Sequence, residues 1–216
     1  MKPRLVMFDM DGVLFDTMPL HVRAWRRTMA EFGYDLPDTV PYEHEGRTAE
    51  STVMEIAGPC LDWRAVYRRK CELFDEQSLA PVMQGALEAV RAARALGADA
   101  IVVTGSGQAT TLARLEAEFT GLFHTPWMVT GRDVVHGKPD PEPYLRGLSN
   151  AGVPAAEAVV VENAPLGVRA GKAAGCRVLA VNTGPLPDEM LLREGADLIF
   201  PSMAALAEFF RTPDSL

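Results

Sequence analysis

Short apolar runs rich in valine and isoleucine recur along this chain, without the clean alternation of polar and apolar residues that marks a strand with one face in water. Such runs are typical of strands buried on both faces of a parallel sheet. They predict strands at residues 5–8, 100–104, 127–130, 158–161, 177–182 and 197–201. Segments with helical spacing lie between most of them, at residues 84–96, 108–119, 141–151 and 165–174. The sequence therefore predicts an α/β fold with a doubly wound, Rossmann-like parallel sheet.

One long stretch interrupts this alternation. Between residues 19 and 79 no convincing strand is found, and three segments have helical spacing, at residues 21–32, 48–57 and 62–79. Three helices between the first strand and the next one indicate an all-helical domain inserted into the sheet domain. We expect the inserted domain to span residues 17–82, and the core to comprise residues 1–16 and 83–216.

Charge and hydropathy limit the partners of the chain. It has 21 Lys and Arg against 29 Asp and Glu, a net charge of −8, which argues against nucleic acid because affinity for nucleic acid comes from neutralising phosphates. The longest apolar run has five residues, 203–207, whereas a helix that crosses a membrane needs about 20. We therefore expect no membrane partner and a cytoplasmic location. The sequence does not fix the oligomeric state, and a monomer is the expectation.

Two carboxylates follow the first predicted strand, in the sequence Asp9-Met10-Asp11-Gly12. In open α/β sheets the ligand lies beyond the carboxyl ends of the strands. Two acids at that edge can hold a hard cation such as Mg²⁺, and an aspartate can also act as a nucleophile that forms an aspartyl-phosphate. The alternative is a turn or a helix cap, where Asp is also common.

A second cluster follows the strand predicted at 100–104, in the sequence Thr104-Gly105-Ser106-Gly107. A hydroxyl and exposed backbone N–H groups next to a helix N-terminus form a phosphate cradle. The two glycines also suggest a dinucleotide-binding loop. That fingerprint needs a third Gly or Ala at its sixth position, where this chain has Thr110, and it normally follows the first strand.

Two further clusters lie downstream. Lys138 stands in a proline-rich loop before a predicted helix, where an ammonium group can balance charge between a phosphate and a carboxylate. Glu162 and Asn163 follow the strand at 158–161 and could supply oxygen ligands to Mg²⁺, although Asn163 could instead cap the next helix. A solvated loop lysine remains the alternative for Lys138.

In this order the four clusters resemble the motifs of the haloacid dehalogenase (HAD) superfamily of phosphatases and phosphomutases. Residues 9–17 are similar to its first motif, Thr104 to its second, Lys138 to its third, and Glu162 with Asn163 to its fourth. The segment 21–25 and the helical insertion resemble the β-phosphoglucomutase-like branch of the superfamily, whose helical cap follows the first strand.

This resemblance implies an enzyme that transfers a phosphoryl group in two steps, with Asp9 as the nucleophile and Asp11 as the general acid and base. It implies that Asp9, the backbone carbonyl of Asp11 and Glu162 hold Mg²⁺. Thr104 and the N–H groups of Gly105 and Ser106 would bind the phosphoryl group, and Lys138 would balance its charge. His21 would orient Asp11 or a substrate hydroxyl, although a structural hydrogen bond is the alternative for a single histidine.

The fourth motif departs from many relatives, because its second acid is replaced by Asn163, an amide that ligates Mg²⁺ without adding charge. A further carboxylate from the cap would replace the missing negative charge, and Glu45 is the candidate. Arg47, close to it in the sequence, is a candidate phosphate clamp. The alternative for both residues is a surface turn with a loose ion pair. The segments 44–48 and 162–168 resemble a HAD-type inorganic pyrophosphatase, which implies that Glu45 and Asn163 join the Mg²⁺ site.

Three functions therefore stay open. The first is an Mg²⁺-dependent phosphohydrolase acting on inorganic pyrophosphate. The second is a β-phosphoglucomutase or a small sugar-phosphate phosphatase. The third is a non-catalytic binding module with the HAD fold.

Overall fold

The computed structural model of the chain describes residues 2–106 and 109–212. Its sheet has five parallel strands in the order β2-β1-β3-β4-β5. They are β1 (Leu5–Phe8), β2 (Asp99–Val102), β3 (Ala158–Glu162), β4 (Arg177–Val181) and β5 (Leu198–Phe200). Phe8 pairs with Val102 on one side and with Val161 on the other. The carboxyl ends of β2, β1 and β3 are therefore level with one another.

Ten α-helices connect or follow these strands within the described residues. They are α1 (Met18–Glu31), α2 (Val40–Glu43), α3 (Ala49–Ala57), α4 (Trp63–Asp75), α5 (Ala86–Ala95), α6 (Ala109–Glu118), α7 (Glu142–Ala151), α8 (Pro165–Ala173), α9 (Asp188–Arg193) and α10 (Met203–Arg211). None of them is long and apolar enough to cross a membrane.

Both faces of the sheet are covered, as the valine-rich strands predict. One face packs its alternate residues, Val6, Phe8, Val102 and Val161 among them, against α5, α6 and α10. The residues between them, such as Met7 and Val160, pack against α7, α8 and α9 on the other face. The predicted α/β class with a doubly wound parallel sheet is confirmed.

Two parts of the fold differ from the prediction. Residues 127–130 do not form a strand: Trp127 ends a short 3-10 helix, and a single parallel bridge joins Val129 to Val103. The backbone N–H of Thr130 then donates to the carboxylate of Asp133, at 2.8 Å, instead of continuing the pairing. The sequence analysis also did not predict α2, α9 and α10. The start that it predicts for the helix at 108 lies outside the described residues, as does Gly107.

Residues 17–81, all of which the structure describes, contain helices and no strand. Their buried apolar residues form two clusters of their own, centred on Leu20 with Leu73 and on Trp25 with Val66. The chain leaves and re-enters the sheet region side by side, because Phe15 and Val82 form an antiparallel bridge. The helical segment is thus joined to the sheet through two adjacent crossings.

Candidate active site

Asp9 and Asp11 lie directly beyond the end of β1, near the middle of the sheet. Asp9 is 4% exposed and Asp11 is 9% exposed. Gly12 turns the chain away with a φ of 75°. A Cβ atom on Gly12 would lie 2.1 Å from the side-chain nitrogen of Asn163, so the absence of a side chain there lets the loops after β1 and β3 approach each other.

Lys138 connects two of the acids. Its ammonium group donates a hydrogen bond to Asp9 and another, of 2.6 Å, to Oε1 of Glu162. Burial alone would lower the pKa of Lys138, but the two carboxylates raise it above the ordinary lysine value. Burial also raises the pKa of Asp9, to about 8, despite the opposing charge of Lys138. One ammonium group is therefore shared by two buried carboxylates.

Glu45 reaches the same cluster from the segment between α2 and α3. The side-chain nitrogen of Asn163 donates to Oε2 and Oε1 of Glu45, at 3.1 and 3.3 Å. Burial raises the pKa of Glu45 well above its ordinary value, and the charges of Asp9, Glu162 and Asp11 add to the effect. Four carboxylates thus gather around Lys138, with Lys70 beside Asp11. The carboxylates outnumber these lysines, and a cation would neutralise the excess negative charge.

One buried oxygen in this cluster has no partner within the described part of the chain. It is Oδ1 of Asn163, whose amide nitrogen faces Glu45. A buried carbonyl oxygen without a donor is costly, and an amide oxygen beside carboxylates is a normal ligand of Mg²⁺. The donor set therefore fits a divalent hard cation.

The predicted phosphate cradle follows β2. Thr104 is 2% exposed, and its hydroxyl accepts a hydrogen bond of 2.9 Å from the backbone N–H of Ser106. A Cβ atom on Gly105 would lie 3.0 Å from the carbonyl oxygen of Gly46, so the segment after α2 packs directly against the cradle. Gly105 and Ser106 line a cavity of about 80 Å³ together with Asp9 and Asp11.

His21, on α1, contacts Asp11. Its Nε2 lies 3.3 Å from Oδ1 of Asp11, and the hydroxyl of Thr17 donates to the same oxygen at 2.6 Å. Burial raises the pKa of Asp11, but His21 and Thr17 outweigh it and hold that pKa below its ordinary value. Two neighbouring side chains, His21 and Thr17, therefore hold Oδ1 of Asp11 in position.

Lys70 is a functional candidate that the sequence analysis missed. Its Nζ lies 2.8 Å from Nδ1 of His21, and the residue is only 4% exposed. Since an ammonium group can only donate, His21 carries its proton on Nε2 and donates it towards Asp11. Burial and the charge of Lys70 both lower the pKa of His21. The spacing of Val66, Lys70 and Phe74 on one face of α4 was the signal that could have revealed it.

Arg47, the predicted phosphate clamp, lines the cavity of about 80 Å³ and also a second one of about 440 Å³ behind the same segment. Its Nη1 donates to the hydroxyl of Ser51 at 3.1 Å, and its Nε is buried without a partner in the described structure. All the side chains that the sequence analysis assigned to the site therefore gather at one end of the sheet.

The sequence profile of haloacid dehalogenase-like hydrolases matches residues 3–175, and the chain belongs to this family. Among solved structures, a protein from Bacteroides vulgatus, provisionally assigned as a beta-phosphoglucomutase, is 45% identical and superposes with a TM-score of 0.93, over 99% of this chain and 90% of its own. The predicted superfamily is thereby confirmed, and the predicted β-phosphoglucomutase-like branch is supported.

Two curated relatives with named activities are phosphatases, in agreement with the predicted enzyme class. Glycerol-1-phosphate phosphohydrolase 2 of Saccharomyces cerevisiae is 30% identical over 92% of this chain and 82% of its own length. Hexitol phosphatase A of Escherichia coli is 33% identical over 84% of each.

Proposed function

We propose that the chain is an Mg²⁺-dependent phosphohydrolase that works through an aspartyl-phosphate on Asp9 and that its substrate is inorganic pyrophosphate. The main observation in favour of pyrophosphate as the substrate is the contact between Glu45 and Asn163. This contact brings the segment after α2 against the loop after β3, which supports a small leaving group beside Asp11.

The proposed reaction has two steps at one phosphorus atom. A carboxylate oxygen of Asp9 attacks phosphorus, and the bond to the bridging oxygen breaks. The negative charge of the bound substrate raises the pKa of Asp11, so that Asp11 takes up a proton when substrate binds and gives it to the departing oxygen. Asp11 then removes a proton from water, whose oxygen attacks the phosphorus and releases Asp9. Thr104, Gly105 and Ser106 would hold the oxygens of the transferring group, and Lys138 would balance their charge.

Asp9, the carbonyl of Asp11, Asn163 and Glu45 would hold Mg²⁺. Glu162, which the sequence analysis also predicts as a ligand, has both of its oxygens bonded to protein donors. The unpartnered oxygen of Asn163 and the surplus of carboxylates support this set. When bound, Mg²⁺ supplies positive charge that lets an acidic site accept an anionic substrate.

The volume beside Asp11 favours a small leaving group. Asp11 lines the cavity of about 80 Å³, whereas the lining residues described for the cavity of about 440 Å³ do not include it. A general acid must lie within hydrogen-bond reach of the oxygen that it protonates. A sugar in the larger cavity would be separated from Asp11 by the segment that carries Gly46.

Positive charge beside Asp11 favours an anionic leaving group. Lys70 lines the small cavity, and its hydrogen-bond partner in the described structure is His21, a neutral side chain. The guanidinium of Arg47 lines the same cavity. Two cations next to the leaving position suit a departing phosphate better than a departing alcohol.

A second candidate is a phosphatase or mutase of small sugar or polyol phosphates, including β-phosphoglucomutase. The glycerol-1-phosphate and hexitol phosphatases among the relatives favour it, as does the Bacteroides vulgatus structure. Asp9 and Asp11 line the small cavity, Thr104 and Lys138 line the larger one, and Lys138 is bonded to Asp9. The proximity of these four residues argues against the third candidate, a non-catalytic binding module.

We further propose that residues 17–82 act as a cap that opens for substrate and closes for chemistry. The two separate apolar clusters and the paired crossings at Phe15 and Val82 support this division. The cytoplasmic location and the monomeric state stay predictions.

The test is phosphate release from pyrophosphate, glycerol 1-phosphate, a hexitol phosphate and β-glucose 1-phosphate, each with Mg²⁺ and with EDTA. We expect kcat/KM for pyrophosphate to exceed the others by at least about tenfold. A sugar or polyol phosphate turned over far better than pyrophosphate would reject the substrate but keep the phosphatase. Conversion of β-glucose 1-phosphate to glucose 6-phosphate would identify a mutase instead.

A further inference from the structure

Tyr144 is a polar side chain that the proposed mechanism does not use. It lies on α7 with no exposed surface, and its hydroxyl donates a hydrogen bond of 2.6 Å to Oε1 of Glu162. A phenylalanine would fill the same apolar space without a hydroxyl to satisfy, because a buried hydroxyl is costly unless it is bonded. The hydroxyl is directed at an active-site carboxylate.

The carboxylate of Glu162 has four protein donors. Oε1 accepts from Tyr144 and from Lys138, both at 2.6 Å. Oε2 accepts from the backbone N–H groups of Asn163, at 3.1 Å, and Ala164, at 3.3 Å. Two donors on each oxygen fill the usual capacity of a carboxylate. Glu162 is therefore held in one orientation by the protein itself.

Gly167 makes room for this orientation. It lies in the first turn of α8, and a Cβ atom there would lie 1.9 Å from Oε1 of Glu162. Glycine weakens a helix relative to alanine, so its position under the carboxylate has a local packing reason. Tyr144 thus bonds Oε1 of Glu162, and Gly167 leaves the space that the whole carboxylate occupies.

The oxygen fixed in this way sets the position of Lys138. The ammonium group of Lys138 donates to Oε1 of Glu162 and to Asp9, the proposed nucleophile. A displaced Glu162 would let Lys138 move, and a misplaced cation stabilises the charge of a transferring phosphoryl group less well.

We propose that Tyr144 is a positioning residue for phosphoryl transfer: its hydroxyl holds Glu162 so that Glu162 aligns Lys138 with Asp9. This assigns Glu162 to the support of Lys138 rather than to direct contact with the metal. The inference rests on the proposed reaction at Asp9 but not on pyrophosphate as the substrate.

The experiment compares Tyr144→Phe, Gly167→Ala and the control Tyr34→Phe with the full wild-type chain. Tyr34 is half-buried in the helical insertion, and its hydroxyl lies 3.5 Å from the carbonyl of Ala57. For each variant kcat and KM are measured on whichever substrate the wild type hydrolyses best, pyrophosphate or a phosphoester, at saturating Mg²⁺. Calorimetry then measures the affinity for vanadate, which mimics pentacoordinate phosphorus, and the affinity for Mg²⁺ without substrate.

We expect Tyr144→Phe to lower kcat by about 10–100-fold with KM nearly unchanged, and to weaken vanadate binding by a similar factor. Gly167→Ala should also lower kcat and weaken vanadate binding, because its added Cβ atom displaces the carboxylate of Glu162. Mg²⁺ affinity should stay within about threefold of the wild type. Tyr34→Phe should match the wild type in every measurement.

A lower melting temperature with unchanged kcat and vanadate affinity would show that Tyr144 is merely structural and would overturn the proposal. A loss of Mg²⁺ affinity large enough to explain the loss of kcat would also overturn it, since Glu162 would then act on the metal. If Tyr144→Phe does not fold, Gly167→Ala decides. If the wild type hydrolyses neither pyrophosphate nor any phosphoester, the proposed function fails while vanadate binding still tests the role of Tyr144.

Discussion

The side-chain amide of Asn163 donates to both carboxylate oxygens of Glu45, at 3.1 and 3.3 Å, although 118 residues separate the two in the chain. This contact joins the helical insertion to the loop after β3. It also brings a further carboxylate next to Asp9, Asp11 and Glu162, which all raise the pKa of Glu45. We therefore expect the contact between Glu45 and Asn163 to be most stable when a cation neutralises the neighbouring carboxylates.

Glu45→Gln should weaken both Mg²⁺ binding and catalysis, because it removes one negative ligand and keeps the shape of the side chain. We expect the apparent affinity for Mg²⁺ to fall by about 10–100-fold, and kcat/KM for pyrophosphate to fall at least as much. Mg²⁺ titrations of activity and of calorimetric binding check this. The matched control is Glu43→Gln, two residues earlier at the end of α2. Equal behaviour of the two variants would exclude Glu45 from the metal site.

Lys70→Met should change the choice of substrate. The variant keeps an unbranched side chain of similar length but removes the buried cation beside His21, so a departing phosphate loses more stabilisation than a departing alcohol. We expect kcat/KM to fall about tenfold more for pyrophosphate than for glycerol 1-phosphate. Lys172→Met, which affects a surface ion pair with Asp197, serves as the control. Equal losses on both substrates would contradict an anionic leaving group at this position.

Asp9 should make the metal-free protein less stable as the pH rises. Its pKa is about 8 in the folded chain and near the ordinary 3.8 when unfolded. Between these values the unfolded state binds fewer protons, so the free energy of unfolding falls with pH, by up to about 1.4 kcal/mol per unit. The side chain in Asp9→Asn cannot bind or release a proton, so this variant should lose the contribution of Asp9 to the fall in the free energy of unfolding with pH.

Urea unfolding in EDTA at about pH 5 and about pH 8 measures the effect as the difference between wild type and Asp9→Asn. Added Mg²⁺ should restore the stability of the wild type at the higher pH, since a cation favours the charged carboxylate. Stability curves of the two proteins that run parallel with pH would refute the raised pKa of Asp9. The same variant should also have no measurable turnover, because an amide is a poor nucleophile.

Gly46→Ala should block the docking of the segment after α2. Gly46 has a φ of 86°, and a Cβ atom there would lie 2.7 Å from Cδ of Lys138. Gly33 has a similar φ of 88°, but a Cβ atom there would have no neighbour within 4 Å, so Gly33→Ala is a control for backbone strain alone. Both variants should lose about 1–2 kcal/mol of stability.

Of the two variants, only Gly46→Ala should also lower kcat/KM, by at least about tenfold, because only Gly46 contacts Lys138, the lysine proposed to balance the charge of the phosphoryl group. Thermal unfolding and steady-state kinetics on the same preparations separate the two effects. Full activity in Gly46→Ala would mean that the segment need not approach Lys138 for catalysis.

The sequence by itself determined the core of this protein. Valine-rich runs without alternation specify strands buried on both faces, and the carboxyl ends of parallel strands meet at one edge. Asp9, Thr104 and Glu162 could therefore be assigned to one site before any contact was known, and the resemblance to the HAD motifs added Lys138. The prediction of a strand at residues 127–130 was wrong. Residues 127–129 are apolar, but a single bridge, from Val129 to Val103, is all that joins this segment to the end of β2.

Only the tertiary structure decided which side chains complete the site. Lys70 reads in the sequence as part of a basic run, and Tyr144 as a core aromatic, yet each is bonded to an active-site residue from another element. The contact of Glu45 with Asn163 likewise exists only when the helical insertion lies against the sheet. Burial removes water as the competing partner. These polar pairs therefore depend on the packing of distant segments, which local sequence patterns do not encode.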